Sequence, residues 1–585
     1  MFEGIARGYR LIRGFAQGGA RSNKTLALLL QQRARSAKRE QPFLLYGERR
    51  FSYGESNALV NRHAQAYRAL GVGKGDVVAL LMDNRPEFLW HFLAAGKLGA
   101  VVSLINTHNA GAPLLHSLRI CEPKLVVVGS EHAAAYAAVS AELPGVKAVL
   151  DVDPEQQSGV GTTALLRFEP ADAAAGDDDP PEAAQQALGD LAAYIYTSGT
   201  TGLPKAARIR HQRMYGVGLG LGGVAYRLRE DDVLYNCLPL YHTSGISACA
   251  GAVITHGATL ALARRFSASR FWDDVRRYEA TCFGYIGELC RYLAAAPPQP
   301  NDRQHKVRVI VGNGLRPDIW AAFQERFGIA RIVEVYGSTE GNAAALNLDN
   351  TVGSVGRLGF GSVLAKWDDE KDDFARTPRG FLIKAKPGES GVLLGRIRGV
   401  TGFDGYQDER ETERKIVRDA FAKGDAWFNT GDLLRSDAKK RLFFVDRMGD
   451  TFRWKGENVS TFEVQEQLAA LPSAAEVNVY GVQVPHTEGR AGMVALVLQG
   501  EFDATAFKQH VDACLPSYAR PLFVRLQDKI EITSTFKLKK NDLRNEGFDP
   551  QSVSDPLYMR HPQRDAYVPL TTELFAELQA GRLRL

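Results

Sequence analysis

The chain has 585 residues, of which 45% are hydrophobic and 24% charged, and its formal net charge is +5. This length exceeds what one hydrophobic core usually supports, so at least two domains are expected. The small net charge argues against a general nucleic-acid-binding protein, and no N-terminal apolar segment marks secretion. We therefore expect a cytoplasmic location and no nucleic-acid partner.

The first 40 residues form a basic segment. Its single acid among residues 1–39 is Glu3, and its basic residues are Arg7, Arg10, Arg13, Arg21, Lys24, Arg33, Arg35, Lys38 and Arg39. Apolar residues recur at helical spacing at Phe2, Ile5, Tyr9, Ile12 and Phe15. Two interpretations remain open: peripheral contact with an anionic membrane on its inner face, or a helix packed on the main body with a solvated basic face.

In residues 54–151, segments whose apolar residues recur at helical spacing alternate with short, continuous apolar runs. A helical face ends at Gly71, and a second helix is predicted from Pro86 through Leu98. Continuous apolar runs predict buried strands at Val77–Met82, Ala100–Ile105 and Leu125–Val128. Such alternation predicts an α/β domain whose parallel sheet is covered on both faces.

Later segments indicate a loop and a second domain. Residues 170–187 are acidic, rich in Ala and Pro and free of aromatics, which predicts a surface loop that carries no chemistry. The most apolar tract, 246–263, contains too many polar residues for a membrane span. A composition shift near 447–455 precedes strands at 476–484 and 493–499 and a helix at 504–514. We therefore predict a large domain at 41–447 and a small one at 448–585.

The stretch Tyr194–Lys205, YIYTSGTTGLPK, is the strongest local signal of a binding site. A strand over 191–196 meets a loop in which Gly199 and Gly202 allow backbone N–H groups to turn inward. The hydroxyl groups of this stretch belong to Thr197, Ser198, Thr200 and Thr201. Lys205 adds a cation. This set suits a polyphosphate, although the composition alone also fits a plain connector. The Walker pattern is not met, which argues against a P-loop NTPase.

The full string TSGTTGLPK resembles the phosphate loop of the adenylate-forming superfamily, which includes acyl-CoA synthetases. Further matches follow in the family's order: YGSTEGN at 336–342, NTGDL at 429–433 and DRMGDTFRWKGENVS at 446–460. YIGELCRYL at 285–293, ITSTFKLKK at 532–540 and the C-terminal tail are similar to the branch of fatty acid transport proteins and very long-chain acyl-CoA synthetases. The resemblance extends over nearly the whole chain from about Leu44.

This resemblance implies a fold and a reaction. The fold would be a large N-terminal α/β domain of mixed and parallel sheets flanked by helices, with a smaller, mobile C-terminal α+β domain hinged near 449–450. The reaction would activate a fatty acid with ATP and Mg²⁺ to acyl-AMP, releasing pyrophosphate, and then transfer the acyl group to CoA.

The resemblance also implies residue roles. Catalysis is assigned to Lys537, Thr339, Glu340 and Lys205, with Glu340 and Thr201 as magnesium ligands. Nucleotide binding is assigned to Thr197, Ser198, Gly199, Thr200, Thr201, Gly202, Asn313, Gly314, Tyr336, Gly337, Ser338, Asp432 and Arg447. Gly456 is assigned to CoA, His242 to the acyl gate, and Gly449 or Asp450 to the hinge. Lys539 and Lys540 are neighbours that make the choice of Lys537 a prediction by position.

Two other functions remain open at this stage. The chain could adenylate another acid, such as a bile acid or a carnitine-like carboxylate, or act as an acyl-AMP ligase. It could also be a lipid-uptake protein with a vestigial site. The presence of Lys205, Thr339, Glu340, Asp432 and Lys537 argues against the latter, because a degraded site is expected to lose at least one charged member. Chain-length preference and oligomeric state leave no signal in the sequence.

Overall fold

A computed structural model describes residues 14, 17–155, 165–171, 177–197, 203–359, 361–368, 371, 373–398, 402–448, 450–454, 457–487, 489–530 and 540–583. They divide into two compact units. The first is drawn from Met1–Gly359, Arg396–Arg418 and Ala426–Phe428, and the second from Phe360–Gly395, Asp419–Asp425 and Asn429–Leu585. The second unit thus includes strands that precede residue 447. The predicted boundary there, which is defined by a hinge, stays a prediction.

The strands in chain order are β1 (Pro42–Tyr46), β2 (Arg49–Ser52), β3 (Val77–Leu81), β4 (Val101–Leu104), β5 (Leu125–Gly129), β6 (Lys147–Asp151), β7 (Leu166–Arg167), β8 (Leu191–Thr197), β9 (Lys205–Arg210), β10 (Val233–Asn236), β11 (Thr259–Leu262), β12 (Cys282–Ile286), β13 (Val309–Asn313), β14 (Arg331–Gly337), β15 (Ala344–Leu346), β16 (Ser354–Arg357), β17 (Ser362–Ala365), β18 (Trp367–Asp368), β19 (Asp373–Phe374), β20 (Ser390–Arg396), β21 (Ile416–Arg418), β22 (Ala426–Ser436), β23 (Arg441–Arg447), β24 (Phe452–Trp454), β25 (Glu457–Val459), β26 (Ala474–Gln483), β27 (Arg490–Leu498), β28 (Phe523–Leu526), β29 (Leu557–His561) and β30 (Ala566–Pro569).

The α-helices span Leu26–Ala34, Tyr53–Ala69, Pro86–Leu98, Gly111–Ile120, Ala133–Ser140, His211–Gly220, Gly251–His256, Phe271–Arg277, Gly287–Ala295, Pro317–Phe327, Glu409–Arg414, Thr461–Ala469, Ala504–Cys514, Asn541–Glu546 and Thr572–Gln579. Two π-helical turns occupy Leu221–Tyr226 and Ser244–Ala250. Sequence signals start and stop these helices. Ser52 and Glu55 form a capping box at the start of Tyr53–Ala69, and Gly99, with φ of 74°, caps the end of Pro86–Leu98.

One sheet of the first unit has the order β7-β6-β5-β3-β4-β8-β9. Its strands run parallel except for the β8–β9 hairpin, and every residue of β5 is buried. Buried apolar strands alternating with helices are typical of a parallel sheet covered on both faces. The predicted strands at 77–82, 100–105 and 125–128 are confirmed, as is the helix at 86–98.

The second sheet of this unit has the order β15-β14-β13-β12-β10-β11-β1-β2. Its central pairs are parallel, and its edge pairs β14–β15 and β1–β2 are antiparallel. The carboxyl ends of neighbouring parallel strands lie at one edge of a sheet, which is where α/β proteins commonly bind ligands. β12, β13 and β14 therefore deliver residues 286, 313 and 337 to the same edge.

The second unit contains a five-stranded sheet of order β26-β27-β28-β29-β30. Its long antiparallel pair β26–β27 confirms the strands predicted at 476–484 and 493–499, and the helix Ala504–Cys514 is also as predicted. Apolar side chains from this sheet and from the helices Thr461–Ala469 and Ala504–Cys514 form a separate core. This is the expected smaller α+β domain, in addition to the large α/β domain.

The acidic segment 170–187 makes a specific contact that its composition did not predict. Lys97 is fully buried, and its ammonium donates to Asp179 at 2.6 Å, Asn61 at 2.6 Å and Asn57 at 2.7 Å. Burial lowers the pKa of Lys97 to about 8. The prediction of a loop without a chemical role is therefore incomplete, because its Asp179 satisfies a buried cation that would otherwise be costly.

The described part of the basic segment packs on the first unit. Arg33 and Lys38 pair with the Glu230 carboxylate at 2.6 and 2.8 Å, and Arg35 pairs with Asp179 at 2.6 Å. These contacts favour the packed-helix interpretation for residues 17–39. The apolar residues predicted to face a membrane, Phe2, Ile5, Tyr9, Ile12 and Phe15, lie outside the described residues. Among the helices that the structure describes, none combines the length and apolarity needed to cross a bilayer.

A buried histidine of the first unit predicts acid sensitivity. His63 is 2% exposed, and burial lowers its pKa to about 3. The folded state keeps this ring neutral while the unfolded chain protonates it below pH 6.5. The contribution of His63 to the free energy of unfolding is thus fully present above pH 6.5 and is lost as the pH falls toward 3. Between pH 7 and pH 4, we expect the free energy of unfolding to drop by about 3 kcal/mol from this group.

Urea unfolding of the wild type and of His63→Phe at pH 7, 5.5 and 4 measures this effect. An aromatic ring at this position keeps the packing against His91 and Phe168, whose centroids lie 4.8 and 5.3 Å from that of His63. The variant should show the shallower loss of stability with falling pH. Parallel pH profiles for the two proteins would show that His63 is not responsible.

Candidate active site

A β-hairpin flanks the predicted phosphate loop. β8 ends at Thr197 and β9 begins at Lys205, and these two residues are register partners. The residues assigned to phosphate binding between them, Ser198, Gly199, Thr200, Thr201 and Gly202, lie outside the described residues. Their roles stay predictions.

Lys205 forms an ion pair with Glu411 of the helix Glu409–Arg414. Both side chains are mostly buried, with 20% and 17% exposed, and the hydrogen bond from Lys205 lowers the pKa of Glu411. The sequence analysis missed Glu411, because nothing in the spacing of residues so far apart predicts their contact. A phosphate that approached Lys205 would share this cation with a carboxylate.

Tyr406 connects two of the predicted motifs within the first unit. Its hydroxyl donates to Glu340 Oε1 at 2.6 Å and also lies within hydrogen-bonding reach of Thr197. The tyrosine is 2% exposed, and burial together with the Glu340 charge raises its pKa far above the ordinary value. The structure therefore brings Glu340 of YGSTEGN close to the start of the phosphate loop. Tyr406 itself was not predicted.

Thr339 lies beside the segment that contains His242. The Thr243 hydroxyl donates to Thr339 Oγ1 at 3.3 Å. His242 precedes Thr243 at the start of a π-helical turn, where its carbonyl accepts from the N–H groups of Gly245 and Ile246 at 3.0 Å each. The segment of the predicted gate thus contacts a predicted catalytic residue through Thr243, while the gating role of His242 stays a prediction.

Gly341 allows a buried cation to approach the turn that carries Glu340. Its φ is +76°, and a Cβ there would lie 1.2 Å from Arg213 Nη1. Arg213 donates to the Gly402 carbonyl at 3.0 Å, and Asp404 lies 3.9 Å from its Nε. Burial lowers the pKa of Arg213, and the charges of Asp404 and Glu340 oppose this shift. Arg213 was not predicted from the sequence.

The Ser338 hydroxyl is a buried polar group without a hydrogen bond to any described residue. Its Oγ is buried and has no hydrogen-bond partner among the described residues. Buried hydroxyl groups are normally hydrogen-bonded, so an atom of this kind next to Thr339 and Glu340 is suited to accept or donate to a ligand.

Asn313 and Gly314, at the end of β13, form the adenine-side turn that the family resemblance predicts. Asn313 and Gly314 are exposed, and Gly314 has a φ of +83°. Tyr336 lies on the neighbouring strand β14 and is 9% exposed, and Gly337 ends that strand. The ends of β13 and β14 place these residues at one edge of the eight-stranded sheet. Their contact with a base stays a prediction.

The second unit pairs Asp432 and Arg447, two of the residues assigned to nucleotide binding. Asp432 on β22 and Arg447 on β23 are register partners, with 3.5 Å between Asp432 Oδ1 and Arg447 Nε. Gly431, with φ of +77°, precedes Asp432 within β22, and Thr430 Oγ1 accepts from the Asp432 N–H at 3.1 Å. A carboxylate held beside a guanidinium offers both acceptors and donors to a sugar hydroxyl.

Of the residues assigned to the hinge, CoA and catalytic lysine, the structure describes Asp450. Gly449, Gly456 and Lys537 lie outside the described residues. Asp450 pairs with Arg544 at 3.5 Å, and Lys540 lies 4.0 Å away. The Lys540 ammonium donates to Thr461 Oγ1 at 2.6 Å, and burial lowers its pKa. Lys540 is thus engaged beside Asp450, and the assignment of the catalytic amine to Lys537 stays a prediction.

Two family models match the chain. The model of the AMP-binding enzyme matches residues 30–406, and that of the AMP-binding enzyme C-terminal domain matches 463–537. A medium/long-chain fatty acid–CoA ligase, FadD6, of Mycobacterium tuberculosis is 42% identical over 96% of this chain and 92% of its own. Long-chain fatty acid transport protein 2 of Rattus norvegicus is 40% identical over 100% of this chain and 95% of its own.

The fold has solved relatives. A crystal structure of the anthranilate CoA ligase AuaEII in complex with anthranoyl-AMP superposes with a TM-score of 0.75 at 23% identity, covering 90% of this chain and 97% of the other. That likeness concerns the fold alone, and it agrees with the two-part architecture described above. By the match of its family model and its curated relatives, the chain belongs to the AMP-binding enzyme family.

Proposed function

We propose that the protein is a long-chain or very long-chain fatty acyl-CoA synthetase. It would activate a fatty acid with ATP to acyl-AMP, with release of pyrophosphate, and then transfer the acyl group to CoA, with release of AMP. The observation that carries this proposal is the 42% and 40% identity, over nearly the full length, to a fatty acid–CoA ligase and a fatty acid transport protein.

The first unit supplies the groups for acyl-AMP formation in this proposal. Thr339 donates to the α-phosphate or the substrate carboxylate, and Lys205 neutralises phosphate charge. Since the step brings a carboxylate toward a polyanion, charge neutralisation and alignment provide most of its catalysis. Arg213 contributes a second buried cation close to Glu340.

Glu340 is the proposed magnesium ligand, with Thr201 as a helper. The Tyr406 hydroxyl donates to Oε1 of the Glu340 carboxylate. Carboxylate oxygens are the hard ligands that Mg²⁺ prefers. Ser338 Oγ, two residues before Glu340, is buried and has no hydrogen-bond partner within the described part of the chain, which also fits a bound polar group. When bound, Mg²⁺ would offset negative charge on the phosphates.

The remaining assignments complete the proposal. Asp432 binds the ribose, and Arg447 donates to the same sugar or to the phosphate. His242 gates the acyl site, Gly456 lets CoA approach closely, and Lys537 acts in the first half-reaction. The small domain is proposed to span 448–585 and to hinge at Gly449 or Asp450.

A pyrophosphate-release assay tests the function. Fatty acids of increasing chain length, a bile acid and a carnitine-like carboxylate are each supplied with ATP and Mg²⁺, with and without CoA, and acyl-CoA is quantified by mass spectrometry. We expect pyrophosphate and acyl-CoA with long-chain acids. Acyl-AMP without acyl-CoA would indicate an acyl-AMP ligase. Turnover of another acid alone would change the substrate, and no turnover of any acid would contradict the enzymatic proposal.

A membrane role is proposed for the first residues of the chain. Deleting residues 1–13 removes Arg7, Arg10 and Arg13 but keeps the ion pairs of Arg33, Arg35 and Lys38. Each basic residue near an anionic surface contributes about 1 kcal/mol, so the deletion should weaken cosedimentation with anionic vesicles by about tenfold or more. Neutral vesicles are the control. Equal binding by both proteins would remove the proposal.

A further inference from the structure

Glu334 is a buried carboxylate directly beneath the predicted adenine-side turn. It lies on β14, shortly before Tyr336, and is 3% exposed. Neither its motif nor its spacing marks it as functional. A carboxylate at such a depth is destabilising unless donors surround it, and groups of this kind cluster at functional sites.

Three donors converge on this carboxylate. Leu315 N–H donates to Oε1 at 2.7 Å, the Tyr285 hydroxyl donates to the same oxygen at 2.8 Å, and Gly314 N–H donates to Oε2 at 2.9 Å. Two of the donors are consecutive backbone amides of the turn. The carboxylate therefore fixes the direction in which that part of the backbone leaves β13.

The register of three strands explains how Tyr285 reaches Glu334. Gly312 on β13 is the partner of Tyr285 on β12 and of Glu334 on β14. Register partners in a parallel sheet point to the same face, so the tyrosine must cross the middle strand. A Cβ at Gly312 would lie 2.6 Å from Cγ of the Tyr285 ring and 2.0 Å from the Tyr285 carbonyl oxygen. The glycine thus leaves the gap over which the ring lies.

The pKa of Glu334 reflects both its burial and its three hydrogen-bond donors. Burial raises the pKa of Glu334 to about 7, and the hydrogen bonds from Leu315, Tyr285 and Gly314 oppose the rise. Each of these donors stabilises the ionised form. Removing one donor weakens the support of the whole turn, because the remaining carboxylate is then less well satisfied.

We propose that Glu334 is a positioning residue that holds residues 313–315, where β13 ends, in the shape that receives the adenine ring, with Tyr285 holding the Glu334 carboxylate in place. This inference rests on the proposed nucleotide site. It gives Tyr285 a role at the nucleotide site, whereas its segment 285–293 served in the sequence analysis only as a marker of the family branch. A tyrosine that merely lines an acyl pocket affects binding of the acid and not binding of ATP.

Equilibrium binding of ATP with Mg²⁺, in the absence of any carboxylic acid, tests the proposal. Tyr285→Phe keeps the ring and removes the donor, and we expect the Kd for ATP to rise roughly five- to twentyfold. Glu334→Gln should raise the Kd for ATP further, because both carboxylate oxygens accept hydrogen bonds, whereas an amide replaces one of these acceptors with an NH₂ donor. The matched control is Tyr235→Phe on β10 of the same sheet, which loses a 3.0 Å hydrogen bond to Asp274 away from the turn. Its Kd should stay within twofold of the wild type.

Unchanged ATP binding by Tyr285→Phe and Glu334→Gln would overturn the inference, as would an equal loss in Tyr235→Phe. An effect of Tyr285→Phe on the KM for the acid alone would overturn it as well. The outcome is distinguishable from failure of the proposed function. If the wild type binds ATP but activates no acid, the proposed reaction fails while the positioning role is still measured by Kd. Absence of ATP binding by the wild type would contradict both.

Discussion

Replacing Glu340 by glutamine is expected to lower the rate of acyl-AMP formation by roughly 10²- to 10³-fold. The amide loses the negative charge that suits Mg²⁺, and it places a donor where the carboxylate offered an acceptor. It also leaves the neighbouring Arg213 cation less well compensated, because the Glu340 charge is one of those that favour the charged guanidinium. The measurement is the rate of ATP–pyrophosphate exchange with a long-chain acid, at several Mg²⁺ concentrations.

Tyr406→Phe is the control for this prediction. It keeps the Glu340 carboxylate but removes the 2.6 Å hydrogen bond, so a loss of about tenfold is expected. The Glu340 variant should also require more Mg²⁺ for half-maximal rate, whereas Tyr406→Phe should not shift this requirement by as much. A Glu340→Gln enzyme with wild-type exchange would contradict the assigned role. A larger loss in Tyr406→Phe than in Glu340→Gln would place the essential group at Tyr406 instead.

Lys537→Ala is expected to abolish acyl-AMP formation, with a loss of roughly 10²-fold or more, while the reaction of CoA with preformed acyl-AMP keeps most of its rate. An amine that neutralises the reacting carboxylate and the α-phosphate matters when those two anions meet. Once the acyl-AMP bond exists, that repulsion is gone. Single-turnover assays of the two half-reactions, started from acid plus ATP or from acyl-AMP plus CoA, measure the difference.

Lys539→Ala is the matched control, because it removes the same charge from the same segment. It should leave both half-reactions within a few-fold of the wild type. Comparable losses in the two half-reactions of Lys537→Ala would contradict a role confined to the first one. A selective loss in Lys539→Ala, with Lys537→Ala active, would show that the catalytic amine is Lys539.

Local sequence was sufficient for much of the fold. The apolar runs at 77–82, 100–105 and 125–128 are strands because continuous apolar residues require a sheet buried on both faces. The helix 86–98 follows from Pro86 at its start and Gly99 at its end. The contacts of the acidic segment 170–187 could not be predicted in this way. Its composition predicts exposure, but it carries no information about the ion pair of Asp179 with the buried Lys97.

The sequence by itself determined the family, the motifs and the strands and helices with strong local signals, because these depend on residues adjacent in the chain. The tertiary structure decided which distant side chains meet: Glu340 with Tyr406, Lys205 with Glu411, and Glu334 with Tyr285. The physical reason is that such contacts depend on strand register and on gaps such as that at Gly312. A local pattern carries no information about either, since register is set by the packing of whole strands.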